Sequence, residues 1–196
     1  MKLSQWVDQL VSELPLGEAI DIVSKRMRTA SEEEEHTLAS ELASLLPTAG
    51  RYLEALQLLN EMIVRYPDEV RPSISKAMLY LYYIKDAEEA LRCINLALKR
   101  AYRTLSFRRD ALGVKARILL QLRRGEEMSD VLEELMSLRI MKNIPDVGRE
   151  RDFVDRAPPG FIRKNVLLRY NQFRPKRATD STADEPPEYE PPTDEE

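Results

Sequence analysis

The stretch GRYLEALQLLNEMIVRYP, from Gly50 to Pro67, decides how this chain folds. Read with the residues just upstream, it places Leu42, Ala43, Leu46, Ala55, Leu59 and Pro67 at spacings of 1, 3, 9, 4 and 8. The set recurs. Thirty-six residues back it becomes Leu3, Trp6, Val7, Leu10, Ala19 and Val23, and 35 residues forward Ile74, Ala77, Met78, Leu81, Ala90, Ile94 and Ala97. A further step of 38 gives Leu112, Ala116, Leu119, Met128, Leu132 and Leu135. Self-similarity at such a period marks a repeat architecture, in which each unit buries its apolar face against the next. The fourth unit departs from the rest: Lys115 holds an apolar place, Met128 a small-residue place, and the register is open by two or three residues.

These positions resemble the tetratricopeptide repeat (TPR) pattern W-x2-L-G-x2-Y…A-x3-F…P. Ala39 takes the tryptophan place, and leucines take the tyrosine and phenylalanine places. The resemblance covers roughly residues 1–140. It implies an all-α, right-handed solenoid of about four helical hairpins, with small residues where paired helices pack closely. An ordinary helical bundle is the competing reading, although bundles lack a recurrent period.

Composition agrees with a helical chain: 33% charged residues, 7% aromatics and 6 Gly against 12 Pro in 196 residues. No segment approaches the roughly 20 apolar residues of a membrane helix, and Asp8 and Glu13 interrupt the N-terminus where an export signal would be apolar. Cys93 is the one cysteine, which excludes an internal disulfide and a cysteine metal cluster and fits a cytoplasmic setting. Residues 178–196 hold eight acids and no Lys or Arg, so the net charge of −4 divides into about +4 for residues 1–177 and −8 for the tail.

Local signals place the helix ends. Ser31 and Glu34 form a capping box, and Asp86 with Glu89 repeats its logic. Pro15, Pro47–Gly50 and Arg123–Gly125 read as turns inside units, and Pro72 fits a first helical turn. The repeat pattern ends after Leu138, and Pro145 and Pro158-Pro159-Gly160 break helices. Residues 141–174 read as a linker and a short amphipathic helix with Ile162, Val166 and Tyr170 on one face. That helix either caps the array or docks on a partner. From Pro175 to Glu196, prolines and acids predict disorder.

The TPR resemblance implies a concave groove lined by the first helix of each unit. Carried over position by position, the lining is Ser4, Asp8, Ser40 and Ser44, then Ser75, Leu79, Tyr82 and Tyr83, then Gly113, Arg117 and Leu120. Leu79 and Tyr82 also read as core at helical spacing. TPR domains that grip the acidic C-terminus of heat-shock chaperones use a lysine and an asparagine where this chain has Ser4 and Asp8, or Ser40 and Ser44 if the array starts one unit later, so that ligand is not expected.

A second candidate is basic: Lys99, Arg100, Arg103, Arg108, Arg109, Lys115, Arg117, Arg123 and Arg124 fall within 26 residues, with Asp110 the one acid among them. It reads as a surface for phosphates or an acidic segment, the chain's own tail included, or as a solvated face balanced by Glu126, Glu127, Asp130, Glu133 and Glu134. Nucleic-acid recognition is weakened by the absence of interleaved stacking aromatics. His36 reads as a solvated histidine and Cys93 as a small buried hydrophobe. Pro186-Pro187-Glu188-Tyr189 has the form of a WW-domain ligand.

No catalytic or metal-binding constellation stands out, and no cofactor is expected. The expectation is a non-catalytic scaffold, adaptor or chaperone holding a segment of another protein. Small TPR chaperones of bacterial secretion systems are of comparable size, and a nucleic-acid-binding accessory is the alternative from another class.

Overall fold

The computed structural model describes residues 2–100, 105–142 and 153–173, and every regular element among them is helical. Arg103, residues 143–152 and residues 174–196, with the Pro186–Tyr189 motif, lie outside the described residues. The elements are α1 (Leu3–Glu13), α2 (Leu16–Met27), α3 (Glu32–Thr48), α4 (Tyr52–Arg65) and α5 (Arg71–Leu79). Helix α5 runs on as a π-helical turn, Tyr80–Ile84, and is followed by α6 (Ala87–Arg100), α7 (Leu105–Gln121), α8 (Gly125–Lys142) and α9 (Lys164–Phe173). Helices α1 to α8 each pack on their successor, and α9 packs on α8. Odd-numbered helices also touch across the pairs, α1 on α3, α3 on α5 and α5 on α7.

The helix ends follow from local chemistry. Ser31 accepts the Glu34 amide at 3.4 Å, and Asp86 accepts the Glu89 amide at 2.9 Å, each satisfying a donor that the first turn leaves over. The Glu34 carboxylate does not complete the expected box; it pairs instead with Arg26 at 3.5 Å, tying α3 to α2. Pro72 sits in the first turn of α5, where its missing N–H costs nothing. Pro47 departs from its reading as a turn residue. Helix α3 runs through it to Thr48, and the turn falls at Ala49–Gly50.

One backbone device recurs along the chain. Gly50, Lys85, Arg123 and Gly160 all adopt positive φ, at 77°, 66°, 58° and 78°, and stand 35, 38 and 37 residues apart. Each lies in the reversal between two helical segments. At two of them the next amide bonds five residues back, Arg51 to the Leu46 carbonyl and Arg124 to the Leu119 carbonyl, both at 2.9 Å. Such a left-handed residue closes a helix by satisfying its last carbonyls.

The fourth of these turns lies beyond Leu138, where the sequence pattern reads as ended. Val154, Ala157, Val166 and Tyr170 stand 38 residues after Ala116, Leu119, Met128 and Leu132. Val154, Val166 and Tyr170 are buried, as is Ile162. Pro158-Pro159-Gly160 is therefore a turn within a periodic segment rather than its end. The segment is seated on α8: the Arg163 amide donates to the buried Ser129 hydroxyl at 3.0 Å, and its guanidinium reaches Asp130 at 2.7 Å.

The apolar interior divides in two. Val7, Ile20, Val23, Leu38, Leu42, Ala55 and Leu59 form an N-terminal cluster that also takes in Leu79. Ile74, Ala77, Leu81, Ala90, Ile94, Leu112, Ile118 and Leu132 belong to a C-terminal cluster that extends to Val166 and Tyr170. Helix α5 contributes to both and stands between them.

Two glycines test the packing with opposite signs. A side chain at Gly125 would overlap the Phe161 carbonyl oxygen, whereas a Cβ at Gly113 meets nothing within 4 Å. Gly125→Ala is expected to lower stability by about 1–3 kcal/mol through overpacking. Gly113→Ala, inside α7, is expected to raise it by about 0.5–1 kcal/mol. Urea unfolding midpoints of the two variants check both signs.

Candidate functional site

Helices α5 and α7 lie side by side and leave a groove along their seam. One hollow of about 260 Å³ is lined by Arg71, Ile74, Ser75 and Met78 from α5 and by Phe107, Arg109, Asp110, Gly113, Val114 and Arg117 from α7. A second, of about 460 Å³, continues past Leu81 and Tyr82 to Leu120, Gln121 and Arg156. Both are bounded by Arg117 and Phe153, which makes them one groove with a shared wall. Phe153 is itself buried, so the returning C-terminal segment closes one side of the groove with an aromatic ring.

The polar groups are held in place. Arg117 Nη1 donates to the Tyr82 hydroxyl at 3.3 Å, fixing the tyrosine while leaving the ring 39% exposed. Arg71 stacks its guanidinium 5.4 Å from the Phe107 ring centre. Four arginines and one aspartate, Asp110, line the groove, with Met78 38% exposed among them. The chemistry offered is an apolar floor with positive rims. That suits an extended or helical polypeptide segment carrying acidic and apolar side chains.

Of the partner-binding residues expected from the sequence, Ser75, Tyr82, Arg117 and Leu120 meet in this groove. Leu79 does not. It is 2% exposed and packs into the N-terminal cluster, while its neighbour Met78 takes the groove position. The physical reason is that α5 buries one face against the N-terminal cluster and another against the C-terminal one, leaving only a narrow strip between them. Tyr83 is exposed but turns towards Tyr52, with ring centres 5.8 Å apart. Ser40 and Ser44 are exposed on α3, and their hydroxyls donate back to the His36 and Glu41 carbonyls.

The basic cluster of the sequence is dispersed in space. Arg109 and Arg117 face the groove, and Arg109 has partners of its own. Arg108 is paired with Glu134, and Arg124 with Glu88 at 2.7 Å. Arg100 borders a separate hollow of about 290 Å³ with Ile63, Val64, Lys76, Cys93 and Leu96. Lys99, at the end of α6, and Arg123, just past α7, are exposed, and Lys115 is half-buried in α7. Helical periodicity turns residues adjacent in sequence onto different faces, so linear density does not make a patch.

Phe153, Arg156, Arg71 and Phe107 escape the sequence reading. Arg71 and Phe107 stand in positions that a repeat alignment leaves unassigned, and Phe153 and Arg156 belong to the segment read as a linker. His36 also differs from its reading. It is half-buried, bonded through Nε2 to Glu69 at 2.8 Å and edge-on to Tyr66, and so ties α3 to the turn before α5. Among the described residues no group of His, Cys, Asp and Glu is arranged to hold a metal ion, and no helix is long and apolar enough to cross a membrane. No family model matches the sequence, and no curated protein is detectably similar to it.

Cys93 gives a local test. Burial pushes its thiol above the ordinary range, which depletes the reactive thiolate at any given pH. In the native protein at pH 8 a thiol reagent is expected to react far more slowly than with free cysteine, and quickly once denaturant is added. A colorimetric thiol assay with and without urea reads the difference.

Proposed function

We propose that the chain is a non-catalytic interaction module, a cytoplasmic scaffold, adaptor or chaperone, that holds a segment of another protein between α5 and α7. The observation that carries this reading is the continuous groove in which Tyr82 and Arg117 are bonded to each other and still exposed to a ligand. A pinned aromatic beside a pinned guanidinium binds with little loss of side-chain freedom, and both residue types dominate binding energies at protein interfaces.

The architecture under this proposal is a right-handed, TPR-like array in which α1/α2, α3/α4, α5/α6 and α7/α8 are four hairpins. Three observations support it: the recurrence of left-handed turns at near-constant spacing, the contacts among odd-numbered helices, and the burial of Ala19, Ala55 and Ala90 at equivalent places. The odd helices then form the inner row, and the groove lies on the concave side. The segment from Phe153 to Phe173 completes the array by covering α8 with Ile162, Val166 and Tyr170. The dispersal of the basic residues counts against the nucleic-acid alternative.

Capture from native lysate on the full chain tests the reading. A polypeptide partner is expected to persist after nuclease treatment and to be lost at least tenfold with Tyr82→Ala or Arg117→Glu. Each variant should unfold at the wild-type urea concentration, since both side chains are surface groups. Leu79→Ala, by contrast, is expected to cost about 2–5 kcal/mol of stability. Material released by nuclease and indifferent to Tyr82 and Arg117 would overturn the groove.

A further inference from the structure

We infer that the α5/α7 groove is covered, in the free protein, by the chain's own acidic segment Glu185–Asp194, which an incoming partner displaces. The inference rests on the groove reading above and adds its regulation. Its first support is charge complementarity: Arg71, Arg109, Arg117 and Arg156 line the groove against one carboxylate, Asp110. The half-buried arginines Arg51, Arg124 and Arg163 each bind a carboxylate of the folded body, at 2.7–2.8 Å, and Arg108 binds Glu134. Arg117 is equally sheltered, yet its bond among the described residues is to the neutral phenol of Tyr82. Arg71 is exposed and lies against the Phe107 ring. A carboxylate brought against such a guanidinium makes a charge-assisted hydrogen bond, stronger than one to a neutral phenol.

The second support is the chemistry of the segment. EPPEYEPPTD, residues 185–194, sets Tyr189 between Glu188 and Glu190 and flanks the three with proline pairs. Proline-rich composition in general favours extended backbone, which lowers the freedom lost on docking. The carboxylates suit the arginine rims, and the Tyr189 ring suits the apolar floor at Met78 and Phe153. Residues 178–196 contain no Lys or Arg, so nothing within that stretch competes for its charge.

Reach is not limiting. Residues 174–184 separate the end of α9 from the segment. Eleven extended residues span about 35 Å, against a radius of gyration of about 16 Å for a compact body of this size. Tethering at this length gives the segment an effective concentration near the millimolar range, enough for a weak ligand to occupy its site.

The test uses the full chain in three forms: wild type, a tail-neutralised form carrying Glu185→Gln, Glu188→Gln and Glu190→Gln, and a groove form carrying Arg71→Glu and Arg117→Glu. The probe is a fluorescent peptide of residues 180–196, followed by anisotropy, with amide hydrogen exchange of α5, α7 and 185–194 recorded in parallel. The peptide is expected to bind the tail-neutralised form at least tenfold more tightly than wild type, to lose affinity in 0.5 M salt, and to miss the groove form. Protection of α5, α7 and the segment should fall together in both variants. Equal peptide affinity for wild type and tail-neutralised protein would overturn the tail's role and leave the groove standing. Failure of the peptide to bind either would remove the acidic-ligand chemistry of the groove itself. Protection that rises with protein concentration would place the tail on a second copy and overturn the intramolecular form.

Discussion

Helix α5 has to satisfy two apolar interiors at once. Leu79 belongs to the N-terminal cluster, while Ile74, Ala77 and Leu81 belong to the C-terminal one. Leu79 and Leu81 are two residues apart, on opposite sides of the junction where the α-helix gives way to the π-helical turn at Tyr80. The wider i to i+5 hydrogen bonding of a π-turn changes the angular step between residues. That change accompanies the hand-over of burial from one cluster to the other. What remains unburied on α5 is a strip of Ser75, Met78 and Tyr82, and the groove is built on it.

The rest of the site follows from that strip. Arg117 on α7 is within reach of Tyr82 because α5 and α7 touch directly, and the pair anchors the middle of the groove. Phe153 supplies the wall because the C-terminal segment packs back on the preceding helices. Its path is fixed by Gly125, which lets the Phe161 backbone approach α8, and by Ser129, whose hydroxyl donates to the Gly125 carbonyl and accepts the Arg163 amide. The groove thus depends on residues far along the chain from Ser75, Met78 and Tyr82.

Much of the helical order was legible in the sequence. The small residues Ala19, Ala55 and Ala90 mark positions with no room for more, and the turn residues and caps at Gly50, Asp86 and Pro72 state their geometry locally. The site was legible in half. Ser75, Tyr82, Arg117 and Leu120 follow from helical phase, but Leu79 and Met78 exchanged roles because α5 is buried against two apolar clusters, which a repeat alignment does not show. The π-turn carries no strong mark of its own in the residues 80–84, YLYYI. Phe153 and Arg156 were hidden for a different reason: Pro158-Pro159-Gly160 looks like termination, and only the backbone shows that it repeats the turn at Arg123. The basic residues misled by proximity in sequence, since charge pairing with Glu88 and Glu134 is decided by helices that come together only in the fold.

The left-handed turns have a further consequence for how much stability the chain leaves unused. At Gly50 and Gly160 the conformation is free of steric penalty, but at Lys85 and Arg123 a Cβ is forced against the backbone. Each such residue carries about 1–2 kcal/mol of local strain. The fold tolerates it because the neighbouring amides, Asp86 to Tyr80 and Arg124 to Leu119, are locked by hydrogen bonds at 3.0 and 2.9 Å. These two turns are therefore a reserve: a glycine at either place relaxes the strain at the cost of a looser unfolded chain. Both lie at the ends of the helical segments that bear Tyr82 and Arg117, so the reserve sits beside the groove between α5 and α7.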